Sequence, residues 1–499
     1  AQALRVRFEL TRCDAPLVCP FRPPGKRTKA QDQRRRPLGY LSTPSCLESI
    51  DLKPDDTPPL KAGPKTYTLS VKSTIFFIFR ANFSRMLIKN VSILQSGHLV
   101  PGQDIRTKEG KIEQIGPELQ KERGDEEIEG KGKLAIPGLV NCHTHLAMSL
   151  LRGYADDMEL MPWLEEKIWP LEARLTEEDV YWGVKLGCLE LIRFGITCYN
   201  DMYYFPDVTA QATKEMGLRG FISGVVFDML PELLSQVEPF IQRWKDDELI
   251  RPAVGPHAAY TCSEETLLRA GEIADRHQAM VHMHISETRK EVDEFLLSRG
   301  KSPVEYLDSL GLLNSRLTAI HCVWLSEEDC YLLEKRKANV VSCTASNLKL
   351  ASGIAPLNTL MKAGVNVCLG TDSACSNNNL SLFEDMKVTA IVQKNAYHTP
   401  AAFTAEQIWQ FATDNAYQAF GLNNGISVGA NADLALIDLK KPWFYPQSNI
   451  VSHLVYSMAG GVDTTIVNGR VLMQNGIIPG EEEILEKAQQ RFIRLTSED

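Results

Sequence analysis

Hydrophobic and polar positions along the chain fall into two textures from residue 86 onward. Over 86–137 short apolar runs alternate with turn signals, beginning with Leu87-Ile88-Lys89-Asn90-Val91-Ser92-Ile93-Leu94. The turns are marked by Ser96-Gly97, Lys108-Glu109-Gly110 and Gly130-Lys131-Gly132, which reads as a succession of strands. The pattern then changes. Apolar runs at 135–142, 196–201, 219–227, 251–256, 279–285, 317–322, 338–343 and 365–371 are separated by segments of helical periodicity. Several of those helices open on capping signals: Thr176-Glu177-Glu178-Asp179, Ser326-Glu327-Glu328-Asp329 and Thr404-Ala405-Glu406-Gln407. After 421 strands return at 433–438 and 465–471, the latter containing the hairpin signal Asn468-Gly469.

Eight strand–helix units predict an α/β protein built on a (β/α)8 TIM-type barrel. A doubly wound sheet is the alternative. The expected organisation is a barrel over 138–420, with 86–137 and 421–499 as the two parts of one small β-rich domain contributed by both ends of the chain. No apolar stretch approaches the ~20 residues that span a bilayer; Ile75 to Phe79 is far too short.

Residues 1–85 stand apart. They carry ten of the 26 prolines, the run Arg34-Arg35-Arg36 and no sustained periodicity, and all 13 methionines lie from Met86 onward. The segment is expected to be disordered or extraneous, with the natural protein beginning at Met86; an Arg-rich targeting peptide is the rival reading. With 16 basic and 7 acidic residues, it leaves 38 basic and 56 acidic residues for the rest, a net of −18. That acidic body argues against binding a phosphate backbone, and so against nucleic acid as a partner. The nine cysteines beyond residue 85 show no C-x-x-C spacing, and Cys188, Cys322 and Cys368 sit in apolar runs. Buried reduced thiols in a cytoplasmic protein are expected rather than disulfides.

The chemistry begins at His143-Thr144-His145, which closes the first apolar run. Alternation along a strand puts both imidazoles on one face, half of a metal site of the zinc, iron or nickel type. Later strands end on His284, His321 and Asp372. Three neutral imidazoles (His143, His145, His284) with the Asp372 carboxylate leave an open position for water, as a catalytic site requires. Glu287, three residues after His284, can carry protons without ligating, and His321 can orient the water or a developing oxyanion. His282 shares the strand face of His284 and reads as packing or a second layer. A dinuclear site would need a bridging residue, often a Lys, on a middle strand. From 215 to 289 the one Lys is Lys245, in a polar run, so a single ion is expected. His98, His277, His398 and His453 read as surface or packing residues, and Cys142 and Cys375 need no nucleophilic role.

From Met86 to its end the chain resembles the amidohydrolase superfamily and, within it, the 5′-methylthioadenosine/S-adenosylhomocysteine deaminases. The resemblance is carried by Pro137 to His145, Leu150-Leu151-Arg152-Gly153, Trp163-Leu164, Pro170 to Thr176, Gly255-Pro256-His257, Ser346 to Leu350 and Gly370 to Asn378. It implies metal ligands His143, His145, His284 and Asp372 for one divalent ion per subunit, zinc first, with iron(II) and nickel(II) as the other candidates. It implies that Trp163, Glu172, His257, Glu287 and Ser376 contact a small-molecule nucleoside. The implied reaction is hydrolytic attack at C6 of adenine: Glu287 protonates N1, Asp372 takes the water proton, His321 polarises, and ammonia leaves. The family also places an Arg near the end of the third strand, suited to an amino-acid carboxylate. The stretch Phe221-Ile222-Ser223-Gly224-Val225-Val226 has none, which points to 5′-methylthioadenosine or adenosine unless Arg152 or Arg219 substitutes. The alternatives are hydrolysis of another heterocycle (guanine, cytosine or a chlorinated triazine) and a metal-free scaffold. The sequence leaves a homo-oligomer open and implies no membrane partner.

Overall fold

The computed structural model describes residues 85–95 and 97–497. The expectation for residues 1–85 therefore lies, Arg85 apart, outside the described residues. Arg85 opens the first strand and ion-pairs with Glu113, Glu122 and Asp125.

Sixteen strands are described. They are β1 (Arg85–Gln95), β2 (His98–Lys108), β3 (Lys111–Gly116), β4 (Glu126–Glu129) and β5 (Lys133–Pro137), followed by β6 (Leu139–Thr144), β7 (Ile196–Tyr203), β8 (Arg219–Val226) and β9 (Ile250–Pro256). Then come β10 (Val281–Ile285), β11 (Leu317–His321), β12 (Asn339–Ser342), β13 (Asn366–Leu369), β14 (Leu434–Asp438), β15 (Val462–Val467) and β16 (Arg470–Met473). Strands β6 to β13 lie in chain order as one parallel sheet, and helices cross between them. Its two edges meet where the Asp372 N–H donates to the His143 carbonyl (3.0 Å) and the Thr371 N–H to the Asn141 side chain (3.0 Å). The expected (β/α)8 barrel is present. Its strands are buried on both faces, as apolar runs without alternation require.

The second sheet is mixed, in the order β16-β15-β14-β5-β1-β2-β3, with β4 also paired to β1. Strands from both ends of the chain meet where β14 runs antiparallel to β5. The turn between β15 and β16 is the expected hairpin: Asn468 (φ 50°) and Gly469 (φ 70°) are both left-handed, as a type I′ turn demands. All three capping boxes read in the sequence are formed, each with reciprocal side-chain and backbone bonds.

One reading needs correction. The run 135–142 is not one strand. It breaks at Gly138 into β5, in the mixed sheet, and β6, in the barrel. A Cβ at Gly138 would fall 2.1 Å from Thr197 Oγ1, so the chain passes between the sheets where only glycine fits. A continuous apolar run cannot reveal such a break, because both strands are buried. Among the described residues no helix is long and apolar enough to cross a membrane.

Candidate metal centre and nucleoside pocket

Every strand-end residue singled out in the sequence arrives at one end of the barrel. His143 and His145 leave β6, His284 sits in β10, His321 ends β11, and Asp372 follows β13. The Nε2 atoms of His143 and His145 lie 3.3 and 3.5 Å from Asp372 Oδ1. Ligand atoms of His143, His284 and His321 also lie within 4.8 Å of one another. His321 (φ 68°) and Asp372 (φ 64°) adopt the left-handed conformation, which bends the chain sharply at the rim; such backbone concentrates at functional sites.

The four rings share a design. His145 Nδ1 lies 2.6 Å from the Met202 carbonyl, His284 Nδ1 2.8 Å from the His257 carbonyl, and His321 Nδ1 2.8 Å from Asn347 Oδ1. Each acceptor fixes the proton on Nδ1 and leaves the Nε2 lone pair facing inward. His143 Nδ1 meets His282 Nε2 at 2.8 Å, and its own Nε2 is buried with no hydrogen-bond partner. A buried, partnerless nitrogen beside a carboxylate and two more inward nitrogens suits a divalent cation. His282 is thus a supporting residue bonded to a ligand candidate, the second-layer part of its expectation.

Electrostatics agree with this geometry. Burial pulls His143 down to about 3 and His257 to about 4, and lowers His284 well below the usual histidine value, so the rings are neutral donors at physiological pH. Burial alone would raise Asp372; the close approach of the His143 ring and the neighbouring imidazoles overcome it and hold the carboxyl below its ordinary value. Its second oxygen accepts a hydrogen bond from Ser346 Oγ at 2.6 Å. Glu287 is pushed the other way, raised by burial. Its carboxylate lies 3.7 Å from His321 Nε2 and accepts from Ser352 Oγ at 3.4 Å.

These groups open onto a cavity of about 1220 Å³ lined by His145, His284, His321 and Asp372 together with all five residues predicted to contact the nucleoside, Trp163, Glu172, His257, Glu287 and Ser376. His143 is fully buried behind it. Trp163 and Glu172 come from the helical segment 160–172, which contains a π-helical turn at Leu164–Ile168; such turns recur at functional sites. Burial raises the Glu172 carboxyl, and Tyr203 Oη, unremarked in the sequence, donates to it at 2.7 Å.

Neither cation held in reserve reaches the pocket. Arg152 pairs with Glu190 and donates to the Asn378 carbonyl, while Arg219 starts β8 at the far end of the barrel and pairs with Asp433. Among the described residues Arg299 is the one Lys or Arg lining the cavity. Lys245 lies exposed at a helix end, away from the centre. The nine cysteines among the described residues are all buried and unpaired.

Residues 134–472 match the model of the amidohydrolase family. The chain is 60% identical to a 5′-deoxyadenosine deaminase of Methanothrix thermoacetophila, over 83% of this chain and 100% of that protein. It is 43% identical to a 5-methylthioadenosine/S-adenosylhomocysteine deaminase of Archaeoglobus fulgidus, over 82% and 99%. Among solved structures, an adenosine deaminase from Xanthomonas campestris with bound zinc superposes with a TM-score of 0.79 at 32% identity, covering 82% of this chain and 98% of that one.

Proposed function

The chain belongs to the amidohydrolase family, and from that premise we propose that it is a metal-dependent deaminase that hydrolyses the C6 amino group of adenine nucleosides to the inosine analogue and ammonia. The observation that carries this reading is the convergence of inward-facing imidazole nitrogens on Asp372, beside a non-ligating Glu287 and a pocket large enough for a nucleoside. Relatives named for adenine nucleosides at 60% and 43% identity favour this ring over guanine, cytosine or a triazine.

His143, His145, His284 and Asp372 would hold one divalent ion, zinc by preference, in keeping with the zinc of the Xanthomonas enzyme. Such an ion lowers the pKa of a water to about 7 and so supplies hydroxide at neutral pH. Glu287, kept protonated more readily by burial, donates to N1 of the ring and draws electron density away from C6. Asp372 accepts the proton released by the attacking water and returns it to the departing amino nitrogen. His321, held by Asn347, stabilises the oxygen added at C6. Glu172, anchored by Tyr203, binds the ribose hydroxyls; His257 and Trp163 frame the purine, and Ser376 lies beside the sugar or its 5′ substituent. The same reading assigns 138–420 to the catalytic barrel, and 86–137 with 421–499 to one β-rich domain.

A pocket whose lining has Arg299 as its one Lys or Arg favours an uncharged 5′ end, so 5′-deoxyadenosine, methylthioadenosine and adenosine rank above S-adenosylhomocysteine. The test is ammonia release and loss of the adenine absorbance band on these four compounds, guanine and cytosine, with metal measured on the same sample. Turnover of the adenine nucleosides is expected; none with any of them would refute the assignment.

A further inference from the structure

Glu287 sits in a loop that needs holding. Ser286, the residue before it, is a non-glycine in the left-handed region (φ 53°), a conformation that persists where surroundings over-determine it. The Ser286 carbonyl accepts from the N–H groups of Val323 (3.0 Å) and Trp324 (2.9 Å). Its N–H and that of Glu287 are both taken by one side chain, Glu291, at 2.9 and 2.8 Å to its two carboxylate oxygens.

Glu291 is buried, and it is the third residue of the helix Arg289–Arg299, whose N-cap Thr288 accepts from the Glu291 N–H at 3.2 Å. In a capping box, the acid at this position turns back to the N-cap residue. Here it reaches further up the chain, onto the two residues that set where Glu287 enters the cavity. Among the described residues, no hydrogen bond or ion pair joins it to a metal-ligand candidate.

We propose that Glu291 is a positioning residue for the reaction: its two hydrogen bonds lock the Ser286–Glu287 backbone and so aim the Glu287 carboxylate. This rests on the assignment of proton transfer to Glu287. Misplacement of a reacting group by about 1 Å can cost ~10²-fold in rate, so Glu291→Leu, which removes both acceptors, should lower kcat by about 10- to 100-fold. KM should stay within about three-fold, because the remaining purine and ribose contacts, those of Trp163, Glu172 and His257, come from other elements. Glu291→Gln, with one acceptor oxygen kept, should fall between Leu and wild type and serves if the Leu variant folds poorly.

The decisive measurement is a double-mutant cycle on the metal-loaded enzyme. If Glu291 acts through Glu287, then Glu291→Gln made in a Glu287→Gln background should change kcat by less than about two-fold. The same loss in both backgrounds, or a loss that tracks melting temperature or metal content, would overturn the proposal and leave Glu291 as a helix cap. A Glu287→Gln enzyme with full activity would instead overturn the assignment of Glu287, and the aiming role with it.

Discussion

Each imidazole at this centre has one nitrogen held and the other presented, and that division makes the residue-scale predictions concrete. Glu287→Gln should keep its metal and lose turnover by about 10²- to 10⁴-fold, the range of general acid catalysis; unchanged kcat would remove Glu287 from the chemistry. The buried rings also set a pH dependence. His143 and His257, near 3 and 4 in the folded chain, take up protons near 6.5 when unfolded. Their stabilisation is complete above 6.5 and is lost as pH falls toward 4, at up to ~1.4 kcal/mol per unit for each group. Asp201, raised by burial to about 6, and Asp385, raised to about 7, have the opposite sign, favouring the fold as they protonate near neutrality. Between pH 6 and 4.5 the two pairs offset each other, so the ring contribution is read by difference: chelator-treated His257→Gln protein should lose less stability than the wild type as pH falls from 6 to 4.5, and parallel profiles would contradict a neutral buried ring at 257. The ligand candidates were legible because histidine and aspartate at strand ends are conspicuous. Their holders were not: two are backbone carbonyls, of Met202 and His257, which leave no mark in a sequence. Ser346 and Asn347 lay within a recognised motif, but only the fold shows them touching Asp372 and His321.

At the scale of elements, the strands and caps were readable because their signals are local. The barrel seam was not, since it joins β6 to β13 across more than two hundred residues. Its tightest point is Gly370, where a Cβ would sit 2.7 Å from the His143 N atom and 2.8 Å from its Cβ. Gly370→Ala should cost about 1–3 kcal/mol as an overpacked core site and displace His143, so bound metal should fall along with melting temperature. Full metal occupancy in a stable Gly370→Ala protein would show that the seam tolerates more space than the geometry allows. The break at Gly138 was hidden for a related reason: two buried strands in series give one apolar run, and the glycine between them looks like an ordinary turn residue.

For the whole molecule, the two sheets are tied by a buried ion pair. Arg219 Nε, at the start of β8, lies 2.6 Å from Asp433 Oδ2; Asp433 precedes β14 and also accepts the Asn468 N–H at 2.7 Å. Asp433 is fully buried, so Arg219→Ala would strand a charge and should cost about 3–5 kcal/mol. Urea unfolding is the measurement. A loss below ~1 kcal/mol would mean that Asp433 is satisfied by its other partners. Both ends of the chain were legible as strand-rich. Their pairing was expected only from the strand-rich texture of both pieces, and its route through β5 and β14 was not legible, because residues 300 apart in sequence leave no periodic trace of contact.

The carbonyls of Met202 and His257 hold two of the imidazoles, while the side chains of the same residues line the substrate cavity. A main-chain oxygen survives any substitution at its residue. The lineage can therefore exchange the side chains at 202 and 257, and with them the choice of substrate, without disturbing ring orientation. Selection on what is deaminated is in this way uncoupled from selection on the orientation of the rings, which gives this scaffold room to acquire new substrates one residue at a time.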